Sequence, residues 1–139
     1  MKIVINYCFG GFGLSEKAMR AYFAKKGRNV FKSGDGLSTT YFDAPVPKEF
    51  ELPEGESFMR RGHPEYERYH SWYEEHVLSD RDIPRDDPDL VSVVEELGRM
   101  GASGKCASLS VVEIPDEVQW QIEEYDGSEH VAEVHRTWS

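Results

Sequence analysis

The sequence predicts an α+β fold, a compact domain with a small mixed sheet covered by two or three helices. Three observations predict it. An opening β-branched run, Ile3-Val4-Ile5, leads at once into a glycine-rich turn and a capped amphipathic helix. Two later segments, near 107–114 and 118–125, carry strand signals. Helical spacing returns near 64–78 and near 88–98.

Taken in order, Lys2 to Cys8 opens as a strand whose unbroken apolar run suggests burial on both faces. Phe9-Gly10-Gly11-Phe12-Gly13 follows, where glycines permit backbone conformations closed to other residues. Ser15 suits a helix N-cap, and Leu14 before it can staple onto Met19. The helix is expected over 16–26, with Ala18, Met19, Tyr22 and Phe23 on one stripe and Gly27 at its stop. Val30-Phe31 and Thr39 to Phe42 read as short strands around the turn Gly34-Asp35-Gly36. Pro45, Pro47 and Pro53, among glutamates, read as a surface loop.

Helical spacing over Pro64 to Leu78 places Tyr66, Tyr69, His70, Tyr73 and Val77 on one face. Asp80 to Asp89 is an acidic connector that ends as a helix start. Asp87 caps, Pro88 occupies the first turn, and Leu90, Val93, Val94 and Leu97 face inward, with Gly98 as the stop. Ala107 to Ile114 reads as a strand, and Val118, Trp120 and Ile122 alternate with Gln119, Gln121 and Glu123, which predicts a strand with one wet face. Tyr125-Asp126-Gly127 turns the chain. The tail from Glu129 to Trp138 fits helical spacing through Val131, Val134 and Trp138, and strand spacing through Glu129, Val131 and Glu133; a hairpin partner is the favoured reading.

A chain of 139 residues is expected to form a single domain, 1–139, with a variable excursion at 29–79. Aromatic residues at 12% exclude a disordered composition. The net charge of −10 argues against general nucleic-acid binding, which needs a basic surface. That charge is uneven. Residues 1–34 carry seven basic residues against one acidic, a net of +6, and the remainder carries 9 against 25, a net of −16. Cys8 and Cys106 make no disulfide framework, and Ile3–Ile5 is too short for a signal core or a membrane span. These features predict a cytoplasmic protein with no membrane association.

Two regions are candidate sites. In the first, a glycine loop between a strand and a basic helix offers backbone N–H groups and a helix dipole to an anion. Gly10, Gly11, Phe12, Gly13 and Ser15 would hold phosphates, with Arg20 supplying charge. The loop matches neither the Walker pattern nor a G-x-G-x-x-G, because Glu16 stands where the third glycine belongs. Its other reading is a tight turn whose Phe9 and Phe12 plug the core. The second region is the tail, with Tyr125, Glu129, Glu133, His135, Arg136 and Trp138. These residues suit phosphate binding, acid–base work by a glutamate with His135, or a structural clasp in which Trp138 packs beside Trp120.

Other patterns are incomplete. His63, His70 and His76 lack zinc spacing, the 80–89 carboxylates lack the EF-hand glycine and glutamate, and no G-x-S-x-G elbow occurs. No cofactor and no metal are therefore expected. Cys8 reads as a buried strand-end thiol rather than a nucleophile. Trp72 with Arg60-Arg61 marks a partner surface.

The stretches Cys8-Phe9-Gly10-Gly11-Phe12-Gly13-Leu14-Ser15, Asp87-Pro88-Asp89-Leu90-Val91, Val112-Glu113-Ile114-Pro115-Asp116, Glu124-Tyr125-Asp126-Gly127 and His135-Arg136-Thr137-Trp138 are similar to a family of small bacteriophage and prophage proteins. The resemblance leaves out the middle of the chain. It implies a phage accessory product in the host bacterial cytoplasm, of a kind that often counters host defence.

Together these readings favour a non-catalytic protein that sequesters a small anionic, nucleotide-like ligand, with a homo-oligomer as a possible form. The alternatives are an acidic, DNA-mimic-like inhibitor of a host protein and a nucleotide-processing enzyme using Glu129 or Glu133 with His135.

Overall fold

In chain order the elements are β1 (Lys2–Asn6), α1 (Glu16–Lys25), β2 (Phe31–Ser33), β3 (Thr40–Phe42), α2 (Tyr66–His76), β4 (Val77–Leu78), α3 (Pro88–Ala102), β5 (Leu109–Glu113), β6 (Trp120–Tyr125) and β7 (Ser128–Glu133). The computed structural model describes residues 1–34, 39–50 and 66–134. They fall into two units, Met1–Lys26 with Asp80–Ser139, and Gly27–Ser79. The class is α+β, as the sequence predicts.

The strand pairing departs from the expected mixed sheet. Among the described residues every ladder is antiparallel: β1 with β5, β2-β3-β4, and β6 with β7. The reason lies at the second edge of β1. Its Val4 N–H donates to the Arg85 carbonyl at 2.9 Å, and its Asn6 N–H donates to Glu129 Oε1 at 2.9 Å. Those donors are spent, so no third strand joins there.

In the first unit, β1 pairs with β5 from Lys2↔Glu113 to Asn6↔Leu109. The run Ile3 to Asn6 is buried, as its continuous apolar pattern requires. α3 packs on both strands and α1 packs on α3, giving a core of Ile3, Ile5, Met19, Leu90, Val93 and Leu109. Each such side chain contributes about 1.5–3 kcal/mol by leaving water.

Both helix starts follow local rules. Ser15 Oγ accepts the Ala18 N–H at 3.0 Å, and Asp87 accepts the Asp89 N–H at 2.9 Å with Pro88 next to it. The stop expected at Gly98 is instead a kink, with φ 72, and a further turn runs on to Ala102. That turn persists because its carbonyls find donors: Ser15 Oγ–H reaches Gly101 O at 2.7 Å and the Ser15 N–H reaches Ala102 O at 2.9 Å.

The ambiguous tail is a strand as far as it is described. β7 pairs with β6 from Trp120↔Glu133 to Tyr125↔Ser128. Asp126 and Gly127 form the turn, with φ of 50 and 90, the left-handed pair of a tight hairpin. Trp120 and Ile122 are half-buried while Gln121 and Glu123 are exposed, the wet-faced alternation the sequence predicts.

The second unit joins the three-stranded ladder to α2. Phe42 meets Trp72 and Tyr73 at ring separations of 4.8 and 5.6 Å, and Phe50 meets Tyr69 at 5.5 Å. Asp43 binds His76 Nδ1 at 2.8 Å and the Arg28 guanidinium at 2.6 Å. Burial opposes its ionisation, but these two hydrogen bonds outweigh burial and hold the carboxyl below its usual range. Trp72 lies in this aromatic cluster; Arg60, Arg61, His63, Pro64 and most of the 34–36 turn lie outside the described residues.

Candidate functional site

The glycine loop and the β6–β7 turn meet around Asn6. This asparagine ends an apolar strand and is fully buried, so each of its polar atoms needs a partner. All find one. Nδ2 donates to Cys8 O and to Gly127 O, both at 2.8 Å, and Oδ1 accepts the N–H groups of Ser108 at 2.7 Å and Cys8 at 3.2 Å. One side chain thereby ties β1, the loop, the entry to β5 and the hairpin turn together.

Glycine is required where these backbones touch. A β-carbon on Gly127 would run into the Gly11 backbone and stand 2.8 Å from Phe9 O. A β-carbon on Gly10 would stand 2.5 Å from the Cys106 β-carbon. Gly10 and Gly127 are contact points between main chains.

Beside Asn6 lies the charged pair that closes the second edge of β1. Glu129 is 5% exposed, and its carboxylate takes Arg85 in a two-pronged ion pair, Nη1 to Oε1 at 2.6 Å and Nη2 to Oε2 at 2.9 Å. Arg85 Nη1 also reaches Val4 O at 3.3 Å, and its guanidinium carbon lies 3.6 Å from the Phe12 ring centroid. Phe12 is therefore stacked on a cation. Phe9, expected to plug the core with it, is 71% exposed.

Other carboxylates occupy neighbouring donors. Asp80 Oδ2 accepts the Leu14 N–H at 2.9 Å, and Glu124 Oε1 accepts the Gly127 N–H at 3.2 Å. The chain thus places Asp80, Glu124 and Glu129 on N–H groups around the loop and turn, where a bound anion would compete with them.

Of the residues read from the sequence, Gly10, Gly11, Phe12, Gly13, Tyr125 and Glu129 are brought together. Ser15 is taken up by its helix cap and by Gly101. Arg20 lies on α1 and forms an ion pair with Glu16 at 3.7 Å. Glu133 is exposed near the end of the hairpin. His135, Arg136 and Trp138 lie outside the described residues. Cys8 is exposed rather than a buried strand-end thiol, and so is Cys106. Sequence reasoning missed Asn6, Asp80 and Arg85; the readable signal was Asn6, a polar residue closing a buried strand.

The same knot carries three exposed aromatic residues, called the ridge below. Tyr7, Phe9 and Tyr125 are 51%, 71% and 75% exposed. They share one backbone junction: Ser128 Oγ donates to Tyr7 O at 3.2 Å, Ser128 pairs with Tyr125, and Gly127 abuts Phe9. Arg99 lies 5.6 Å from the Tyr7 ring. Residues 106–134 contain eight carboxylates and no Lys or Arg. Seven of the eight are exposed, all but Glu129.

Elsewhere in this unit an open groove of about 700 Å³ runs beside α3, lined in part by Met1, Lys2, Asp86, Val91, Glu95 and Glu96. Its charges are largely answered, Lys2 by Glu95 at 3.1 Å and Glu96 by Lys25 at 3.4 Å. Among the described residues no group of three or more His, Cys, Asp or Glu side chains is placed to hold a metal ion. No helix among them is long and apolar enough to cross a membrane.

No protein-family model, curated protein or solved structure matches the chain. Function therefore rests on the geometry of the knot and its ridge.

Proposed function

We propose that this chain is a non-catalytic binding protein that docks on a basic protein surface through the ridge of Tyr7, Phe9 and Tyr125. The observation that carries the reading is that ridge: three exposed aromatic side chains around one hydrogen-bonded backbone junction. Exposed aromatic residues beside an arginine, here Arg99, match the composition of interface anchors. The exposed carboxylates of 106–134 would steer a basic partner and suppress acidic ones, more strongly at low salt. The acidic remainder of the chain, net −16, favours a basic surface on a host protein as the partner.

Capture of a small nucleotide-like anion is the competing reading. Asp80, Glu124 and Glu129 already accept N–H groups around the loop and turn, which weighs against it. Both of the Glu129 oxygens are also taken by Arg85, which weighs against its use as an acid or base.

The test compares the tagged wild-type chain with a Phe9→Ser, Tyr125→Ser double variant. Both positions are exposed, so stability should change by less than about 0.5 kcal/mol at each. A partner retained from bacterial lysate by the wild type should be released by moderate salt and lost by the double variant. Cyclic nucleotides and ADP-ribose at millimolar concentration should leave the melting temperature unchanged. Stabilisation by those ligands, with capture unaffected by the variant, would restore the small-anion reading, since binding raises stability by mass action.

A further inference from the structure

The sheet of β1 and β5 has two outer edges, and the fold treats them differently. The Met1 ammonium donates to Ile114 O and the Ile114 N–H donates to Met1 O, both at 2.8 Å. At the other end the Tyr7 N–H donates to Ser108 O at 2.8 Å. These bonded pairs bracket the register from Lys2↔Glu113 to Asn6↔Leu109. Bonded pairs alternate along an antiparallel ladder, so Ile3↔Val112 and Ile5↔Ser110 are the bonded pairs between them. The main-chain groups of Val4 and Asn6 on β1, and of Leu109, Val111 and Glu113 on β5, therefore point away from the other strand.

β1 spends its outward N–H groups on Arg85 O and Glu129 Oε1, both at 2.9 Å. On β5 the Leu109 N–H donates to Ser103 Oγ at 2.8 Å. The outward N–H and C=O groups of Val111 and Glu113 have no hydrogen-bond partner among the described residues. Val111 and Val112 are half-buried and Glu113 is exposed. An edge with unspent main-chain groups is a template for another strand.

We propose that the strand it takes is β5 of a second copy, paired antiparallel across a two-fold axis at Val112 into one continuous sheet. In this register Val111 lies opposite Glu113 of the second copy, and each outward N–H meets an outward C=O. The next position sets Leu109 against Pro115. Leu109 has already spent its N–H, Pro115 has none, and Pro115 O accepts the Val118 N–H at 3.4 Å. The ladder ends where the free donors end. An axis at Val111 would bring Glu113 of the second copy against Leu109, where Ser103 already stands. An axis at Glu113 would set the two glutamates opposite each other. The pairing does not involve the ridge.

The experiment measures the mass of the full chain by light scattering over a concentration series, at low and high salt. The wild type should move from 15.9 kDa toward twice that mass as concentration rises. Each copy carries −10, so added salt should strengthen the pairing, the opposite of its effect on docking to a basic partner. Val111→Pro removes an outward donor and no bond within the chain; it should stay monomeric and melt near the wild-type temperature. In a Cys8→Ser, Cys106→Ser background, Val112→Cys should oxidise to a cross-linked dimer, because opposed Cα atoms lie about 4.5 Å apart across the axis. Ser110→Cys, placed opposite Ile114 of the second copy, should not. This pair of variants decides the register even if Val111→Pro fails to fold. A monomer at every concentration, a dimer that Val111→Pro leaves intact, or equal cross-linking at positions 110 and 112 would each overturn the proposal. The Phe9→Ser, Tyr125→Ser variant should dimerise like the wild type, so failure of pairing and failure of docking are read separately.

Discussion

Replacing Glu129 with alanine should cost far more than one surface glutamate. The side chain is 5% exposed and accepts from Arg85 at 2.6 and 2.9 Å and from the Asn6 N–H at 2.9 Å. Removing one partner of a buried ion pair costs about 3–5 kcal/mol when the remaining charge stays buried. Arg85 keeps 19% side-chain exposure and can recover some hydration, which lowers that part to about 2–3 kcal/mol. Leaving the Asn6 N–H without its acceptor adds about 1–3 kcal/mol, partly overlapping. The expected loss is about 3–5 kcal/mol. With a urea m-value of about 1–3 kcal/mol/M, the midpoint should fall by about 1–5 M with m unchanged. The double variant Glu129→Leu, Arg85→Met should lose less than the sum of the single changes, because it leaves no unpaired charge. A loss below about 1 kcal/mol in Glu129→Ala, or strict additivity in the cycle, would refute the claim that this pair holds the hairpin to β1.

Gly127→Ala combines left-handed strain of about 1–2 kcal/mol with a collision of about 1–3 kcal/mol against Gly11, whereas Gly11→Ala meets only the strain; thermal melts should rank them in that order. Tyr22, pushed up to about 12 by burial and then by its hydrogen bond to Asp87, contributes stability that is full below about pH 10 and lost as pH rises through about 12. Tyr22→Phe should flatten the alkaline fall in urea midpoint, and an unchanged slope would count against that contact. Burial opposes ionisation of Asp87, but hydrogen bonds from Tyr22, the Asp89 N–H and Lys26 hold its carboxyl below the usual range. Asp87→Ala should therefore destabilise by about 1–2 kcal/mol at neutral pH, with the difference shrinking as acid protonates the native carboxyl. Asp43 carries the same sign in the second unit, so Asp43→Asn should cost stability near pH 7 and little in strong acid.

Much of the fold was legible because its signals are local. Ser15 three residues before Ala18, and Asp87 beside Pro88, mark helix starts within one turn of chain, and α1 and α3 begin there. The alternation of Trp120 and Ile122 with Gln121 and Glu123 marks a half-buried strand in the same way. The knot was only half legible. Gly10–Gly13 and Gly127 announced unusual backbone, yet their mutual contact is set by chain segments more than a hundred residues apart. Arg85 sits in an acidic connector, and its partner Glu129 lies 44 residues away, so no periodicity links them. Gly98 was read as an end because propensity cannot see Ser15 capping the next turn from another helix. The exposure of Phe9 was likewise invisible, since local spacing does not distinguish it from Phe12, which stacks on Arg85.

The central claim is that Tyr7, Phe9 and Tyr125 form the surface that meets a partner. Its most direct test replaces Phe9, Tyr125 or the exposed Lys17 of α1 with a photo-crosslinking phenylalanine analogue and irradiates each chain in bacterial lysate. The account predicts one protein cross-linked from both Phe9 and Tyr125 and absent from Lys17. Equal cross-linking from all three positions, or from Lys17 alone, would contradict it.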